Sequence, residues 1–408
     1  MFESITLRGG QSYLDTNIDV GTFAEALLFY QNVHLVLDRS NLVLLVKDVG
    51  IDNFRLLLDS GACTATFFRD MTGVVGQPLS GTALTELQFV SFEFSGADAK
   101  ARKLRDKEQF LDPFMRDKNP NFPTGKLERL FERISVKHTD DLRVQGVGPI
   151  QAAQGDLDDG QYIWRAVTDL LKEFVPEFQA SPSDYFRIKR LSESKFIIET
   201  NLNFDQLNTL YHARVPPGHS TITPDYLMAH MLTTRWNLAL ALKYGTDLVT
   251  SDISSHLLEL RLRGILEKRS ANAARLSRFE NVILQKTKSV REAIDSGSLT
   301  FDNFMKLLEE ADKFKRWLKG KPMDVDLVDS YYQEISKKGW IDKLPARATR
   351  FTLFTLLGFG ASALTSGAGG VAAGVGLAAF DSFVIDKIVR GWKPNQFVEG
   401  SMKRILKG

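Results

Sequence analysis

The sequence feature that most constrains this chain is a run of thirty residues without a charged side chain, at positions 351–380. The chain as a whole is ordinary, since charged residues make up 25% of its 408 residues. Glycine stands at seven positions of the run: 358, 360, 367, 369, 370, 374 and 376. Glycine weakens helices in water but is more frequent in membrane helices. The run therefore favours either insertion into lipid or burial inside a helical domain.

The glycine-rich centre of the run, residues 366–370, divides it into two legs at 351–365 and 371–385. Each leg would be about 22 Å long at 1.5 Å per helical residue, which is shorter than the roughly 30 Å of a hydrocarbon core. A re-entrant helical hairpin therefore fits better than a single crossing. Its legs are predicted to pack closely because small residues recur four positions apart. The glycines assigned to this packing are Gly367, Gly370, Gly374 and Gly376.

Basic residues flank the run on both sides. Five precede it between positions 337 and 350, against Asp342 alone, and six follow it between 387 and 407. Because positively charged flanks tend to stay on the cytoplasmic side, both ends of the run are predicted to lie there. Trp340 and Trp392 lie just outside the run, where interfacial tryptophans are common. We expect a cytoplasmic protein on the inner face of the membrane, and a hairpin buried in a soluble core is the alternative.

An acidic element with the sequence FDSFVID follows the run at positions 380–386. A short apolar hairpin followed by such an element resembles the channel-forming domains of colicin-type toxins. The resemblance covers only this C-terminal stretch of the chain. It implies an effector of toxin-like character that acts on a membrane.

Strand-like and helix-like segments alternate before residue 223 and predict an α/β fold. Alternating or continuous apolar residues predict strands at 12–18, 33–38, 63–68 and 84–94. A helix is predicted at 22–30 and a hairpin at 186–202. Strands that are separated by helices favour parallel pairing through crossover connections.

From Thr223 onward the pattern is mainly helical. Thr223 and Pro224 form a typical helix start, Gly245 ends that helix, and a short strand is predicted at 247–251. A later helix places Phe301, Phe304 and Leu308 on one packing stripe. We therefore predict three domains. They are an α/β domain with an inserted hairpin at 1–222, a mainly α-helical domain at 223–345, and the Gly/Ala-rich helical hairpin at 346–408.

Two short motifs resemble a known family. YLDTN at 13–17 and GTDLVTSD at 245–252 resemble two strands of PIN-domain nucleases. The resemblance implies a PIN-like fold with a large insertion, metal-binding carboxylates at Asp15 and Asp252, and Asp225 as a further catalytic acid. Such carboxylates would hold Mg²⁺ or Mn²⁺ and activate water for RNA cleavage. The chain departs from the family because residues 39–47 contain no glutamate and because Asp225 lies 27 residues before Asp252.

The stretch 261–291 is strongly basic, with nine basic against two acidic residues and a net charge of +7. Such a stretch can bind the phosphates of anionic lipids or of nucleic acids. Phe279 is its only aromatic residue, which gives little support to base stacking. We predict contact with an anionic surface, and a solvated helical face is the alternative. The predicted contact residues are Arg261, Arg263, Arg269, Arg275 and Arg278.

Composition and motifs argue against several classes of protein. A single cysteine, Cys63, excludes a disulfide framework within the chain and points to a reducing compartment. There is neither a GxxxxGK[ST] phosphate loop nor a GxSxG nucleophile motif. His212 and His219 do not have metal-ligand spacing, and the N-terminus does not read as a signal peptide. No cofactor is expected outside the nuclease hypothesis.

Three hypotheses follow from the sequence. The first is a bacterial cytoplasmic protein that docks on or inserts into the membrane through its C-terminal run, as a toxin-like or phage-defence effector without enzymatic activity. Its partners would be a membrane or anionic lipid surface, together with a protein partner or a second copy of the chain. The second is a metal-dependent PIN-like ribonuclease that acts on RNA. The third is a soluble scaffold without activity.

Overall fold

A computed structural model describes most of the N-terminal two thirds of the chain and parts of the remainder. The described residues are 2–8, 20–80, 84–92, 99–116, 123–251, 257, 260–261, 282–288, 293–294, 296–297, 299–306, 308–309, 348–354, 380–381 and 396–399. Among these residues, no helix combines the length and the apolar character that are needed to cross a bilayer.

The chain begins with strands that alternate with helices. The two later strands of this part are rich in Val, Leu and Phe on both faces, because other layers cover the sheet on both sides. The elements are β1 (Phe2–Arg8), α1 (Val20–Phe29), β2 (Tyr30–Leu37), α2 (Arg39–Val49), α3 (Ile51–Asp59) and β3 (Cys63–Phe68).

A long insertion follows β3 and contributes a second sheet. Its elements are β4 (Met71–Pro78), β5 (Leu84–Phe92), α4 (Ala99–Arg116), α5 (Thr124–Phe131), β6 (Ser135–Lys137), a 3₁₀ turn (Thr139–Leu142), α6 (Pro149–Asp156), α7 (Gly160–Phe174), β7 (Phe186–Arg190), β8 (Lys195–Thr200) and α8 (Phe204–His212). β4, β5, β8 and β7 pair in that order as an antiparallel sheet, whereas β6 joins the sheet of β3.

The last named helix is α9 (Pro224–Tyr244), and its ends follow from the sequence. The side chain of Thr223 accepts a hydrogen bond from the backbone N–H of Tyr226, and Pro224 occupies the first turn. Gly245 ends the helix in a left-handed conformation with φ of 64°, which glycine adopts without steric cost. The remaining strands are β9 (Asp247–Ser251), β10 (Val282–Lys288), β11 (Ala348–Phe354) and β12 (Gln396–Glu399).

The main sheet has eight strands in the order β10-β11-β12-β9-β1-β2-β3-β6. The six strands from β12 to β6 pair in parallel, and β10 and β11 extend the sheet antiparallel. The chain runs outward from β1 through β2 to β3 and later returns through α9 to β9, on the other side of β1. β1 and β9 therefore flank a topological switch point, as in doubly wound sheets.

Two hydrophobic cores cover this sheet. One contains buried side chains of α1, α2, α3 and α5, together with Phe301, Phe304 and Leu308 of the predicted packing stripe. The other joins α9 and α7 to the inner face of the antiparallel sheet, with Phe68, Leu87, Phe196 and Trp236 among its members. α9 is buried along most of its length because it lies between the two sheets.

The predicted α/β class, the helix from Pro224 to Tyr244 and the strands at 63–68 and 247–251 are confirmed. The predicted domain boundaries do not separate the main sheet, which takes strands from 2–8, 282–288, 348–354 and 396–399 alike. Two stretches that were expected to be helical form strands, namely Val282–Lys288 and the start of the apolar run at 351–354. Residues 355–379, which hold the remainder of the predicted first leg and the centre of the hairpin, lie outside the described residues.

Candidate functional site

A ligand-binding site is expected at the carboxyl edge of the parallel strands. In open α/β sheets, ligands bind outside the carboxyl ends of the strands beside the switch point. Here that edge carries Arg8 at the end of β1, Asp38 after β2, Asp70 after β3 and His138 after β6. Polar side chains at the ends of four parallel strands therefore lie along the same edge of the sheet.

Arg8 is held at this edge by α9. Its Nη1 donates a hydrogen bond to Oδ1 of Asn237 at 3.0 Å, and its guanidinium lies 4.9 Å from the ring centre of Trp236. Trp236 in turn packs edge-to-face on Phe68 at 5.3 Å. A cation is therefore fixed at the end of the strand that flanks the switch point.

Asp70 and His138 form a carboxylate–imidazole pair at the same edge. The Asp70 side chain is fully buried and accepts hydrogen bonds from the backbone N–H of Thr139 at 2.8 Å and from Nδ1 of His138 at 3.2 Å. Arg69 beside it donates to Asp106 at 2.6 Å. When Nδ1 carries the proton, Nε2 of the half-exposed imidazole remains an acceptor. The sequence reasoning did not assign His138, although its place directly after a strand is the signal that could have identified it.

The three predicted catalytic carboxylates are only partly placed. Asp225 lies in the first turn of α9 and packs on Gly76 of β4, since a Cβ atom added to Gly76 would lie 2.6 Å from its Oδ1. Asn237, the partner of Arg8, follows twelve residues later, which is about 18 Å along a helix. Asp15 and Asp252 lie outside the described residues, and Asp252 directly follows β9. Within the described part of the chain, no group of His, Cys, Asp or Glu is arranged to hold a metal ion.

A buried charge cluster joins α6 and α9 to residues 261 and 381. Arg235 contacts both oxygens of Asp156, at 2.7 and 2.6 Å, and donates from Nη1 to Asp381 at 3.0 Å. Nη2 of Arg261 lies 3.0 Å from an oxygen of each of the two carboxylates. We call Arg235, Arg261, Asp156 and Asp381 the charge cluster. Its two arginines and Asp156 are buried, and the Asp381 side chain is 15% exposed.

The charge cluster balances two guanidinium groups with two carboxylates. Burial alone would lower the pKa of Arg235, but the charges of Asp156 and Asp381 outweigh it and raise this pKa above its ordinary value. Burial, with a further contribution from Asp156, raises the pKa of Tyr162, so its phenol keeps its proton. The guanidinium of Arg261 lies 5.0 Å from the Tyr162 ring centre, and that of Arg235 lies 5.2 Å from the ring centre of Phe380.

The structure places Arg261 differently from the prediction. It is 1% exposed and paired with two carboxylates, so it does not lie on an open basic surface. A basic stretch in a sequence does not distinguish an exposed arginine from one whose partners come from distant segments. The other predicted contact residues and packing glycines lie outside the described residues: Arg263, Arg269, Arg275, Arg278, Gly367, Gly370, Gly374 and Gly376.

Two other reactive side chains are buried away from these sites. Burial raises the pKa of the Cys63 thiol to about 12, so this cysteine is not poised as a nucleophile. Burial lowers the pKa of His230 to about 3, and its ring lies between those of Phe174 and Tyr226, at 5.5 and 5.2 Å. Both residues belong to the cores.

Comparisons with family models, with curated proteins and with solved structures returned no match for this chain. The strand order defines the class: a doubly wound α/β protein with an inserted antiparallel sheet. Many unrelated activities occur on folds of this class, because activity depends on the site rather than on the fold. The function of this chain therefore has to follow from its own residues.

Proposed function

We propose that this chain is a membrane-associating protein of the bacterial cytoplasm, a toxin-like or phage-defence effector whose α/β body carries an apolar C-terminal segment. The observation that supports this proposal most is the pairing of Phe354 with Gln396 between β11 and β12. β11 ends at Phe354, and β12 begins at Gln396 directly beside it. The first 25 residues after Phe354, at positions 355–379, contain no charged side chain.

Residues 355–379 are held by the body at both ends, at Phe354 of β11 and at Asp381, which Arg235 and Arg261 bind, so they can reach a bilayer only from the side on which the body lies. This agrees with the basic flanks on both sides of the apolar run, which predict a cytoplasmic location for both ends. A hairpin that enters and leaves the lipid on the inner face of the membrane satisfies both constraints. The partner is then an anionic lipid surface, and a second copy of the chain or another protein would complete any assembly.

Vesicle flotation over a range of salt concentrations tests this proposal. The full chain is expected to float with vesicles that contain anionic lipid, and the bound fraction should fall as salt rises, because charges at an exposed surface are screened within about 8 Å at physiological ionic strength. Vesicles of neutral lipid serve as the matched control. Equal binding to neutral and anionic vesicles would show that the basic flanks do not contribute to membrane binding.

A PIN-like ribonuclease is the second candidate, and the strand order favours it. The parallel strands β3, β2, β1 and β9 lie side by side, α9 directly precedes β9, and Asp252 directly follows it. Asp15 and Asp252 would then hold Mg²⁺ or Mn²⁺ near the switch point. In an RNA cleavage assay with either metal, the double change Asp15→Asn and Asp252→Asn should abolish activity, whereas Asp205→Asn on the exposed start of α8 should not.

The same two assays cover the remaining hypothesis of a scaffold. A folded full-length protein that neither binds vesicles nor cleaves RNA with Mg²⁺ or Mn²⁺ would favour a scaffold whose apolar run is packed within protein. That outcome rejects both proposed activities together.

A further inference from the structure

Arg235 and Arg261 hold Asp381 between two guanidinium groups. Nη1 of Arg235 donates to Oδ1 of Asp381 and Nη2 of Arg261 donates to Oδ2, both at 3.0 Å. Each oxygen of the carboxylate thus has its own arginine. Proteins use this geometry to recognise carboxylate and phosphate groups, because the planar guanidinium matches their oxygens.

The remainder of the charge cluster cannot neutralise both arginines. Asp156 supplies one negative charge, while the Arg235 and Arg261 side chains are 0% and 2% exposed. Without Asp381, the described residues of the cluster would leave one buried positive charge without a counter-charge, which is strongly unfavourable. The position of the Asp381 carboxylate therefore attracts a singly charged anion.

Two further donor groups, one on the Arg261 guanidinium and one on the tyrosine ring that packs against it, favour phosphate over carboxylate. Within the part of the chain that the structure describes, Nε of Arg261 and the hydroxyl of Tyr162 are buried and have no hydrogen-bond partner. Both can donate, and the Arg261 guanidinium lies 5.0 Å from the Tyr162 ring centre. A carboxylate presents two oxygens, both already bound by arginine, whereas a phosphate group presents additional acceptor oxygens.

We propose that Arg235 and Arg261 form a binding site for a singly charged phosphate group, as in a phosphodiester, and that Asp381 is its internal occupant. The anion position lies at the outer end of the charge cluster, where Asp381 is 15% exposed. A ligand and Asp381 exclude each other, so binding of the ligand favours release of Phe380 and Asp381 from α9, and the reverse. This site does not depend on the membrane proposal.

Calorimetric titration of full-length variants with dimethyl phosphate tests the site. Asp381→Ala opens the anion position, and it should bind dimethyl phosphate at least about tenfold more tightly than the wild type, which is about 1.4 kcal/mol. Neutral trimethyl phosphate should not bind. The control Asp158→Ala removes the carboxylate of a surface pair with Arg190 and should behave as the wild type. Adding Arg261→Leu to Asp381→Ala should abolish the gain.

If Asp381→Ala does not fold alone, refolding is compared in dimethyl and in trimethyl phosphate. Rescue by the anion alone supports the site, and failure of the anion to rescue overturns it. A folded Asp381→Ala without tighter binding overturns it as well. Competition by glycerophosphoglycerol and by a cyclic nucleotide, both singly charged phosphodiesters, then distinguishes a lipid headgroup from a nucleotide as the source.

Discussion

His230 lies in the middle of α9 with its ring enclosed by aromatic neighbours. It is 1% exposed, and within the described residues neither ring nitrogen has a hydrogen-bond partner. Burial therefore lowers its pKa from 6.5 to about 3, because the charged imidazolium would lose its hydration without gaining a partner. The folded protein keeps this side chain neutral under conditions in which an unfolded chain protonates it.

Acid should therefore destabilise the protein through His230. The unfolded state binds a proton as the pH falls through 6.5, whereas the folded state binds it only near pH 3. The free energy of unfolding should fall by about 1.4 kcal/mol per pH unit from this residue as the pH drops between these values. Urea unfolding of the wild type and of His230→Leu at several pH values isolates this contribution. His219→Leu, at an exposed position, serves as the control. Parallel pH profiles for the wild type and His230→Leu would show that His230 does not cause the loss of stability in acid.

The burial of a residue could be predicted where it depends on the apolar pattern of its own strand or helix. It could not be predicted where it depends on a charged partner that is distant in the sequence. Cys63 lies in an apolar strand and is buried as expected. Arg261 is buried because it pairs with Asp381, 120 residues away. The His138–Asp70 pair likewise spans 68 residues. Neither partner can be found from spacing in one sequence, since the fold alone brings them together.

At the scale of elements, β4 approaches the start of α9 very closely. A Cβ atom added to Gly76 would lie 2.6 Å from Oδ1 and 2.8 Å from Cβ of Asp225, closer than side-chain atoms normally approach. Gly76→Ala should therefore push the strand and helix apart, at a cost of roughly 1–3 kcal/mol in the free energy of unfolding. Urea denaturation measures this cost.

A matched glycine supplies the control for this prediction. Gly125 of α5 has no atom within 4 Å of an added Cβ, so Gly125→Ala should leave stability unchanged or raise it by up to about 1 kcal/mol. Asp225→Gly removes the obstructing side chain and should recover part of the loss caused by Gly76→Ala. Equal changes in the free energy of unfolding for Gly76→Ala and Gly125→Ala would show that the close approach of β4 to α9 does not affect stability.

Elements were predictable where local signals mark their ends. The cap at Thr223 and the left-handed Gly245 define α9 within the sequence itself. β1 was not predicted, although its residues from Ser4 to Arg8 alternate between polar and apolar, and its pairing with β2 and β9 is what stabilises it as a strand. β10 and β11 were missed because each is stabilised by pairing with a strand 60 to 71 positions away in the sequence. Helical patterns and glycine content do not reveal such pairing.

For the whole molecule, the sheet unites segments from both ends of the chain. β12 near the C-terminus pairs with β9, and β9 pairs with β1 at the N-terminus. The α/β class followed from alternating strands and helices, but strand order depends on crossovers that a single sequence does not specify. The main sheet takes strands from all three predicted segments, 1–222, 223–345 and 346–408, and the division at 222 and 345 stays a prediction.

The sheet also determines what the apolar run can do. Its first four residues, 351–354, belong to β11, and Asp381, directly after its last residue, is bound by Arg235 and Arg261, so residues 355–379 are tethered at both ends. A tethered run can reach lipid without separation of a domain. The central claim is the proposal that residues 355–379 enter the bilayer rather than the interior of the protein.

Carbonate extraction after flotation with anionic vesicles tests that claim most directly. At about pH 11 lysines lose most of their charge while arginines keep theirs, so the wash also contains 1 M salt, which screens exposed charges within about 3 Å and releases a protein held only by surface electrostatics. We predict that the full chain remains with the vesicles, and that Gly374→Leu, which places a large side chain at a predicted contact between the legs, is released. A folded full-length protein that the carbonate wash strips completely would contradict insertion.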